Sequence, residues 1–270
     1  MSVVGVAVAL VVGAVVGLTG AGGAIIAVPA LVYLVGLDPE DAVPTSLIVV
    51  GLSSLAGLLP RRHVGINWRL VAVLGAAGIP ASWAGAAVAE RLDPDVLMLF
   101  FAGMMVLAAV RMLLASRVGA AARTARPPGE SPAGESPEAA IRGMLVRGLT
   151  VGLVVGFLTG MLGVGGGFLL IPALTLILRV GMQQAVGISL AVIAINSASG
   201  FAAHLPGLTM DWALTLSFAA VAVIASLAAG RLSRRLNERV VSRAFAVLIL
   251  LVAAWVAASS LPSVISGRAL

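Results

Sequence analysis

The chain contains no cysteine, no lysine and only two histidines. Without cysteine there is no disulfide, no thiolate metal site and no thiol nucleophile. His63 and His204 stand far apart in the sequence, so no histidine cluster is available for a metal. Charged residues make up 10% of the chain, whereas a soluble domain carries roughly 25%. These absences exclude a soluble enzyme, and we predict neither a metal site nor a cofactor.

Apolar residues dominate what is present. They form 60% of the 270 residues, and the mean hydropathy is +1.13. Several apolar runs approach the roughly 20 residues that a helix needs to cross a bilayer. These runs are residues 3–18, 24–36, 44–60, 70–89, 95–115, 143–162, 167–179, 185–203, 211–231 and 240–260. We therefore predict an all-α, polytopic membrane protein with nearly the whole chain in lipid.

A hydrophilic stretch interrupts the apolar runs near the middle of the chain. Residues 116–140 are rich in proline, glycine, serine and charge, a composition typical of a flexible, solvated linker. The sequence therefore predicts an N-terminal membrane repeat at 1–115, a cytoplasmic linker at 116–140 and a C-terminal membrane repeat at 141–270.

The two halves are copies of one unit. Residues 5–57 align with residues 148–200 without a gap, and 20 of the 53 aligned residues are identical. Identical valines and leucines are expected in this composition, but identical glycines, prolines and serines are not. The informative identities are Gly13/Gly156, Gly17/Gly160, Gly20/Gly163, Gly22/Gly165, Gly23/Gly166, Pro29/Pro172, Ser46/Ser189, Ser54/Ser197 and Gly57/Gly200.

The arginines indicate how the copies sit in the membrane, because cytoplasmic loops collect basic residues. If the linker is cytoplasmic, counting outward from it puts 15 of the 17 arginines inside, with Arg91 and Arg268 as exceptions. The count requires each half to cross an odd number of times, its first two short runs forming a returning pair. An odd-crossing unit present twice is inverted, as in many secondary transporters. We predict two inverted repeats, each a glycine-broken helix pair plus three transmembrane helices, with both termini outside.

Each copy opens with a glycine-rich interruption of its apolar sequence. Residues 17–24 read GLTGAGGA and precede Pro29, and residues 160–167 read GMLGVGGG and precede Pro172. The short flanking runs place the turn inside the membrane, where such backbone must line a cavity or be buried in protein. A helix that begins after the glycines directs its free N–H groups and positive dipole end into that cavity. The motif therefore predicts an anion site without a charged side chain.

Two roles remain open for these glycines. Small residues also let membrane helices pack closely. The packing role is favoured for the glycines upstream of the breaks, Gly13, Gly17, Gly152, Gly156 and Gly160. The cavity role is favoured for the glycines at the breaks, Gly22, Gly23, Gly165, Gly166 and Gly167.

The doubled pattern G-x-x-G-x-G-G-G/A followed by proline resembles the TauE/SafE sulfite exporter family, also called TSUP. The resemblance covers the whole chain, including the central linker. It implies export or import of small sulfur-containing anions, such as sulfite, sulfoacetate or related organosulfonates, across the cytoplasmic membrane. Ala24 stands where the second copy has Gly167, so we expect a tighter first turn.

Neutral polar side chains within the apolar runs complete the candidate binding site. They are Thr19 and Thr159 in the breaks, and Ser46, Ser53, Ser189 and Asn196 on the following helix. Seven-residue spacing puts the two members of each copy on one helical face, where hydroxyls and an amide donate to sulfonate oxygens. Alternatively, such groups bond to carbonyls of their own helix or join helices. For Ser46 and Ser189 the sequence favours neither ligand binding nor a structural hydrogen bond. For Asn196 it favours ligand binding.

We therefore predict a multi-pass secondary transporter of the cytoplasmic membrane. A passive anion channel and a non-transporting membrane scaffold are the alternatives. No carboxylate is placed mid-membrane and no nucleophile–base pair is visible, so the sequence favours neither a carboxylate proton relay nor an enzyme. The expected partners are a small anionic sulfur compound and the lipid bilayer, and a homodimer is left open. Topology explains the net charge of +6, so nucleic acid is not an expected partner.

The topology predicts opposite exposure of two loops. Since the chain has no native thiol, Ser131→Cys in the linker and Leu37→Cys before the acidic loop each create a single reactive site. A membrane-impermeant maleimide applied to intact cells should label Leu37→Cys and should spare Ser131→Cys until the membrane is opened. Labelling of the linker from outside would overturn the inverted arrangement.

Overall fold

The fold is described by a computed structural model. It describes residues 3–20, 23–61, 65–89, 91, 103–107, 109–110, 137–162, 167–178, 180–204, 210–235, 240, 243, 246–251 and 253–254. Within these ranges all regular structure is helical, which confirms the all-α prediction. Most of the predicted linker lies outside the described residues, and its last residues, 137–140, already belong to a helix.

The main helices follow the apolar runs of the sequence. They are α1 (Val3–Thr19), α2 (Gly23–Ala30), α3 (Pro39–Leu58), α4 (Trp68–Ala89), α5 (Pro137–Leu162), α6 (Gly167–Leu176), α7 (Met182–His204) and α8 (Trp212–Arg235). A π-helical turn, Leu31–Val35, continues α2, and a 3₁₀ turn, Leu59–Arg61, continues α3. The predicted runs 95–115 and 240–260 are described only in part.

Three helical stretches of the described chain are long and apolar enough to cross a membrane. They are Asp41–Arg61, Met182–Ala202 and Trp212–Ser233. By contrast, α1 has 17 residues and α6 has 10, so these helices rise only about 26 Å and 15 Å. Helices this short fall below the roughly 30 Å of a hydrocarbon core.

Both glycine motifs separate two helices, as predicted. α1 ends at Thr19 and α2 begins at Gly23, while α5 ends at Leu162 and α6 begins at Gly167. Gly20 has a φ of +73°, a left-handed conformation that favours glycine and stops α1. The turn residues 21–22 and 163–166 lie outside the described residues.

The fourth helix of each half, α4 or α8, begins with the same kind of side-chain cap. The Asn67 Oδ1 atom accepts the backbone N–H of Leu70 at 3.1 Å before α4. The Asp211 Oδ1 atom accepts the N–H of Ala213 at 2.8 Å before α8. These side chains satisfy N–H groups that a helix start leaves without a carbonyl partner.

Each half packs its first helix against the fourth helix of the other half. α1 lies on α8, and α5 lies on α4. A Cβ atom added at two glycines of α1 or at two glycines of α5 would overlap main-chain atoms of the facing helix. The facing pairs are Gly13 with Ala222, Gly17 with Ser226, Gly156 with Gly78, and Gly160 with Ser82. The packing role predicted for these four glycines is confirmed.

The third helices of the two halves, α3 and α7, cross near the centre of the molecule. A Cβ atom added at Gly51, Gly57 or Gly200 would lie against Ser197, Leu190 or Leu47, respectively. Residue numbers rise along α3 while those of their contacts fall along α7, so the two helices run in opposite directions. The same reasoning shows that α1 runs parallel to α8 and that α5 runs parallel to α4.

Large apolar side chains lie on the outer surface of the described chain as well as in its interior. Val49, Ile188 and Leu190 are buried in the core around the α3–α7 crossing. On the outside, the large side chains of Tyr33 and Trp83 are 76% and 73% exposed. Such an exposed apolar surface is expected where lipid replaces water as the solvent.

We expect Gly13→Val to destabilise the fold. Its side chain would overlap the Ala222 backbone, and forced separation of packed helices costs about 3 kcal/mol or more, the upper end for overpacking. Thermal unfolding of the purified protein in detergent measures the loss. Gly143→Val is the matched control, because nothing lies within 4 Å of an added Cβ there. Equal melting temperatures for the two variants would contradict the packing interpretation.

Candidate functional site

The first glycine break is built around the carbonyl end of α1. The Gly20 N–H donates to the Val16 carbonyl at 2.8 Å. The Ser233 hydroxyl, which comes from α8, donates to the Leu18 carbonyl at 3.1 Å. The last carbonyls of a helix have no intrahelical partner, and here side chains from other helices supply one.

Arg61 supplies another of these partners. Its side chain is 0% exposed. The Nη2 group donates to the Gly17 carbonyl at 2.8 Å, and the Nη1 group donates to the Gly57 carbonyl at 2.8 Å. The arginine tally of the sequence includes Arg61 among the residues on the cytoplasmic side, but it does not predict that this side chain is buried. Its position at the end of an apolar run was a signal, but the sequence alone does not say that the side chain turns inward.

The glycines of the first break divide into described and undescribed positions. Gly22 lies outside the described residues. Gly23 is the first residue of α2, and a Cβ atom there would overlap the Val16 side chain of α1. This contact accounts for a glycine by close packing of the helix pair. The predicted binding role of Gly23 stays a prediction.

A small cavity lies beside the second break. Its volume is about 10 Å³, close to the smallest space that holds one water molecule. Its walls come from α4, α5, α6 and α7. Lining residues are Leu74, Gly78, Gly152, Val155, Gly156, Thr159, Leu170, Val192, Ile193 and Asn196. Gly165 and Gly166 lie outside the described residues, and Gly167 begins α6.

Two polar side chains, Thr159 and Asn196, face this cavity. The Thr159 hydroxyl donates to the Val155 carbonyl at 2.6 Å, so its oxygen lone pairs remain available as acceptors. The Asn196 Oδ1 atom is buried and has no hydrogen-bond partner. The structure therefore brings together two of the polar residues that the sequence analysis singled out, Thr159 and Asn196.

The matching position in the first half also carries an unpartnered polar atom. Ser53 aligns with Asn196 in the two copies, and its Oγ atom is buried without a hydrogen-bond partner. The Ser53 carbonyl accepts the Ser226 hydroxyl of α8 at 2.7 Å. Ser53 is thus placed against α8, whereas Asn196 is placed against α4 and α5. The two residues occupy matched positions on opposite sides of the α3–α7 crossing.

The remaining predicted residues are buried or form contacts within their own helix. The Thr19 hydroxyl donates to the Val15 carbonyl at 2.7 Å, and the Ser46 hydroxyl donates to the Val43 carbonyl at 2.8 Å. Both bonds stay within the same helix, as the alternative interpretation of these residues expects. Ser189 is fully buried on α7. Their binding roles stay predictions.

Two glutamines that precede the apolar run 185–203 belong to the first turn of α7. The Gln183 Nε2 group donates to the Ser233 carbonyl at 3.1 Å. The Gln184 Nε2 group donates to the Gly65 carbonyl at 2.8 Å. The helix therefore begins at Met182, before the apolar run that predicted it.

The family model described as "Sulfite exporter TauE/SafE" matches residues 5–256. This chain belongs to the TauE/SafE family. The match includes both glycine breaks, the α3–α7 crossing and Arg61. It confirms the resemblance read from the doubled glycine pattern.

Curated relatives of this TauE/SafE chain carry transporter names. A "Probable membrane transporter protein" of Xylella fastidiosa (strain Temecula1) is 27% identical over 254 residues, which cover 91% of this chain and 90% of the relative. The "Probable membrane transporter protein YunE" of Bacillus subtilis is 26% identical over 260 residues, covering 90% and 92%. No solved structure matches the chain. The protein is therefore a membrane transporter of the TauE/SafE family.

Within this TauE/SafE fold we expect Asn196→Leu to keep or raise stability. Removing a buried polar atom that has no partner is neutral or stabilising by up to about 3 kcal/mol. Thermal unfolding in detergent gives the comparison. Ser226→Ala serves as control, since it removes a buried bond that is formed and should cost about 1 kcal/mol. A larger loss for Asn196→Leu than for Ser226→Ala would show that the amide stabilises the fold.

Proposed function

We propose that this TauE/SafE protein is a secondary transporter of a small sulfur-containing anion, such as sulfite, sulfoacetate or a related organosulfonate. The observation that carries the proposal is the matched pair of unpartnered polar atoms on Ser53 and Asn196. Buried polar atoms in native proteins nearly always have a partner. A polar group that lacks one at the same place in both copies is available for a ligand.

The chemistry of these groups suits an anion. The Ser53 hydroxyl is a donor once a ligand oxygen is present. The oxygen and nitrogen of an asparagine amide exchange places when the side chain turns by half a rotation. Turned in this way, Asn196 directs its NH₂ group into the cavity next to Thr159. The cavity has room for about one water in this conformation, so it has to widen before the amide can donate to an oxyanion. Neutral donors of this kind bind a sulfonate without the cost of burying an extra charge.

The helix starts at the glycine breaks also support the proposal. Each break is followed by a short apolar helix, of 8 residues in α2 and 10 in α6. The helices after the breaks, α2 and α6, begin at Gly23 and Gly167. Their N-terminal N–H groups and positive dipole ends favour an anion in the break. We propose Gly22, Gly165 and Gly166, which precede these starts, as backbone donors for the same ligand.

Helix directions support the inverted relation of the halves. The copies α3 and α7 run antiparallel, and the first helix of each half runs parallel to the fourth helix of the other half. This is the set of directions that a two-fold axis in the membrane plane produces. An inverted pair lets one arrangement of the halves open to one side and the mirrored arrangement open to the other. We therefore propose alternating access in the cytoplasmic membrane, with no catalytic step.

Wild-type protein should bind sulfite, thiosulfate, sulfoacetate or isethionate with micromolar to millimolar affinity. The expected range follows because each helix end supplies about 0.3 to 2 kcal/mol and a few hydroxyls add to it. Titration calorimetry on the purified protein measures it. Asn196→Leu should weaken binding at least about tenfold, whereas Ser217→Ala, whose hydroxyl is engaged with the Leu214 carbonyl of its own helix, should bind as wild type does.

Two outcomes would contradict the proposed function. Tighter binding of ethanolamine than of any sulfur anion would exclude an anion site. In proteoliposomes, labelled anion should exchange against unlabelled anion and saturate. Flux that only follows the gradient would indicate a channel, and the absence of flux would indicate a scaffold.

A further inference from the structure

Arg61 is a buried cation at the end of a candidate membrane span. The span covers Asp41–Arg61, and the Arg61 side chain is 0% exposed. A charged side chain inside a membrane protein is costly, so it is retained mainly where it serves a function. Because Arg61 lies beside the first glycine break, its function has to be sought there.

The guanidinium joins three parts of the fold. It donates to the Gly17 carbonyl at the end of α1 and to the Gly57 carbonyl at the end of α3. It also lies against Gly230 of α8, where an added Cβ would come within 3.3 Å of the Nη1 atom. A glycine at 230 leaves room for the side chain, and the planar guanidinium suits two carbonyls at once.

The second half has no equivalent of this arginine. The alignment of the copies matches Gly17 with Gly160 and Gly57 with Gly200. It stops there, and carried on at the same offset it puts His204 opposite Arg61. The carbonyl acceptors are therefore repeated and the guanidinium is not. Within the described residues the two breaks differ in charge even though their glycines are alike.

Helix electrostatics give this difference a consequence. At the first break the carbonyl end of α1, which carries partial negative charge, meets the N–H end of α2, which carries partial positive charge. An anion in the break is attracted by α2 and repelled by α1. A cation that donates to the Gly17 carbonyl offsets the repulsive end.

We propose that Arg61 is a positioning residue that holds the end of α1 and makes the first break selective for anions. This inference rests on the proposed function and adds to it the reason why the first break accepts negative charge. Arg61 acts through the α1 carbonyls, so it need not touch the ligand.

Three variants separate the charge of Arg61 from its hydrogen bonds. Arg61→Gln keeps a donor and removes the charge. Arg61→Lys keeps the charge and a donor. Arg69→Gln removes a charge from α4, where the side chain is exposed, and is the control. Each purified protein is titrated with sulfite and isethionate, and its thermal unfolding is recorded.

We expect Arg61→Gln to weaken the binding of both anions at least about tenfold, the size of one partly buried interaction with a helix end. Arg61→Lys should restore most of the affinity, and Arg69→Gln should bind as wild type does. Wild-type affinity in Arg61→Gln would overturn the inference. So would an equal loss in the glutamine and lysine variants when both are folded, because the charge would then be irrelevant.

Gly230→Ala tests the same inference if Arg61→Gln does not fold. Its methyl group presses on the guanidinium, on Pro60 and on the Gly57 carbonyl, at 3.3 to 3.5 Å, without removing the charge. Affinity for sulfite should fall relative to Gly143→Ala, and unchanged affinity would overturn the inference. If wild-type protein binds none of the sulfur anions, the proposed function fails first, whatever the Arg61 variants do.

Discussion

Close backbone contact between helices of opposite halves is the constraint on which the rest of this structure depends. Lipid provides no hydrophobic drive for one apolar helix to join another, so contact is favoured where small residues let backbones approach. Gly13 and Gly156 provide that approach on α1 and α5. Because the first helix of each half is held by the fourth helix of the other half, neither glycine break is positioned by its own repeat alone.

The same contact decides which polar groups are satisfied. α8 lies on α1, so Ser233 reaches the Leu18 carbonyl, and Arg61 reaches the Gly17 carbonyl from the end of α3. These partners satisfy carbonyls at the end of α1, next to the buried Arg61 side chain. The buried Ser53 Oγ and Asn196 Oδ1 atoms have no hydrogen-bond partner, and they are the atoms on which the proposed anion site rests.

The two halves repeat one arrangement of helices, but sequence divergence has made their two glycine breaks unequal. Val16 packs on Gly23 in the first half, whereas Thr159, its counterpart, faces a cavity with Asn196 in the second. Among the described residues, Arg61 adds a charge to the first break and none is added to the second. On the proposed function, one break therefore offers an electrostatically adjusted helix end, and the other offers a neutral polar cavity. A transporter with unequal halves has a physical basis for different affinities on the two sides of the membrane.

The sequence by itself determined the helical class, the two copies, the helix breaks and the packing role of Gly13 and Gly156, because glycine spacing and apolar run length are local properties. It also indicated Asn196, since an amide in an apolar helix is costly. It did not predict the burial of Arg61, the early start of α7 or the cavity at Thr159. Those features depend on which helix lies opposite each side chain, and that is decided only when the two halves pack together.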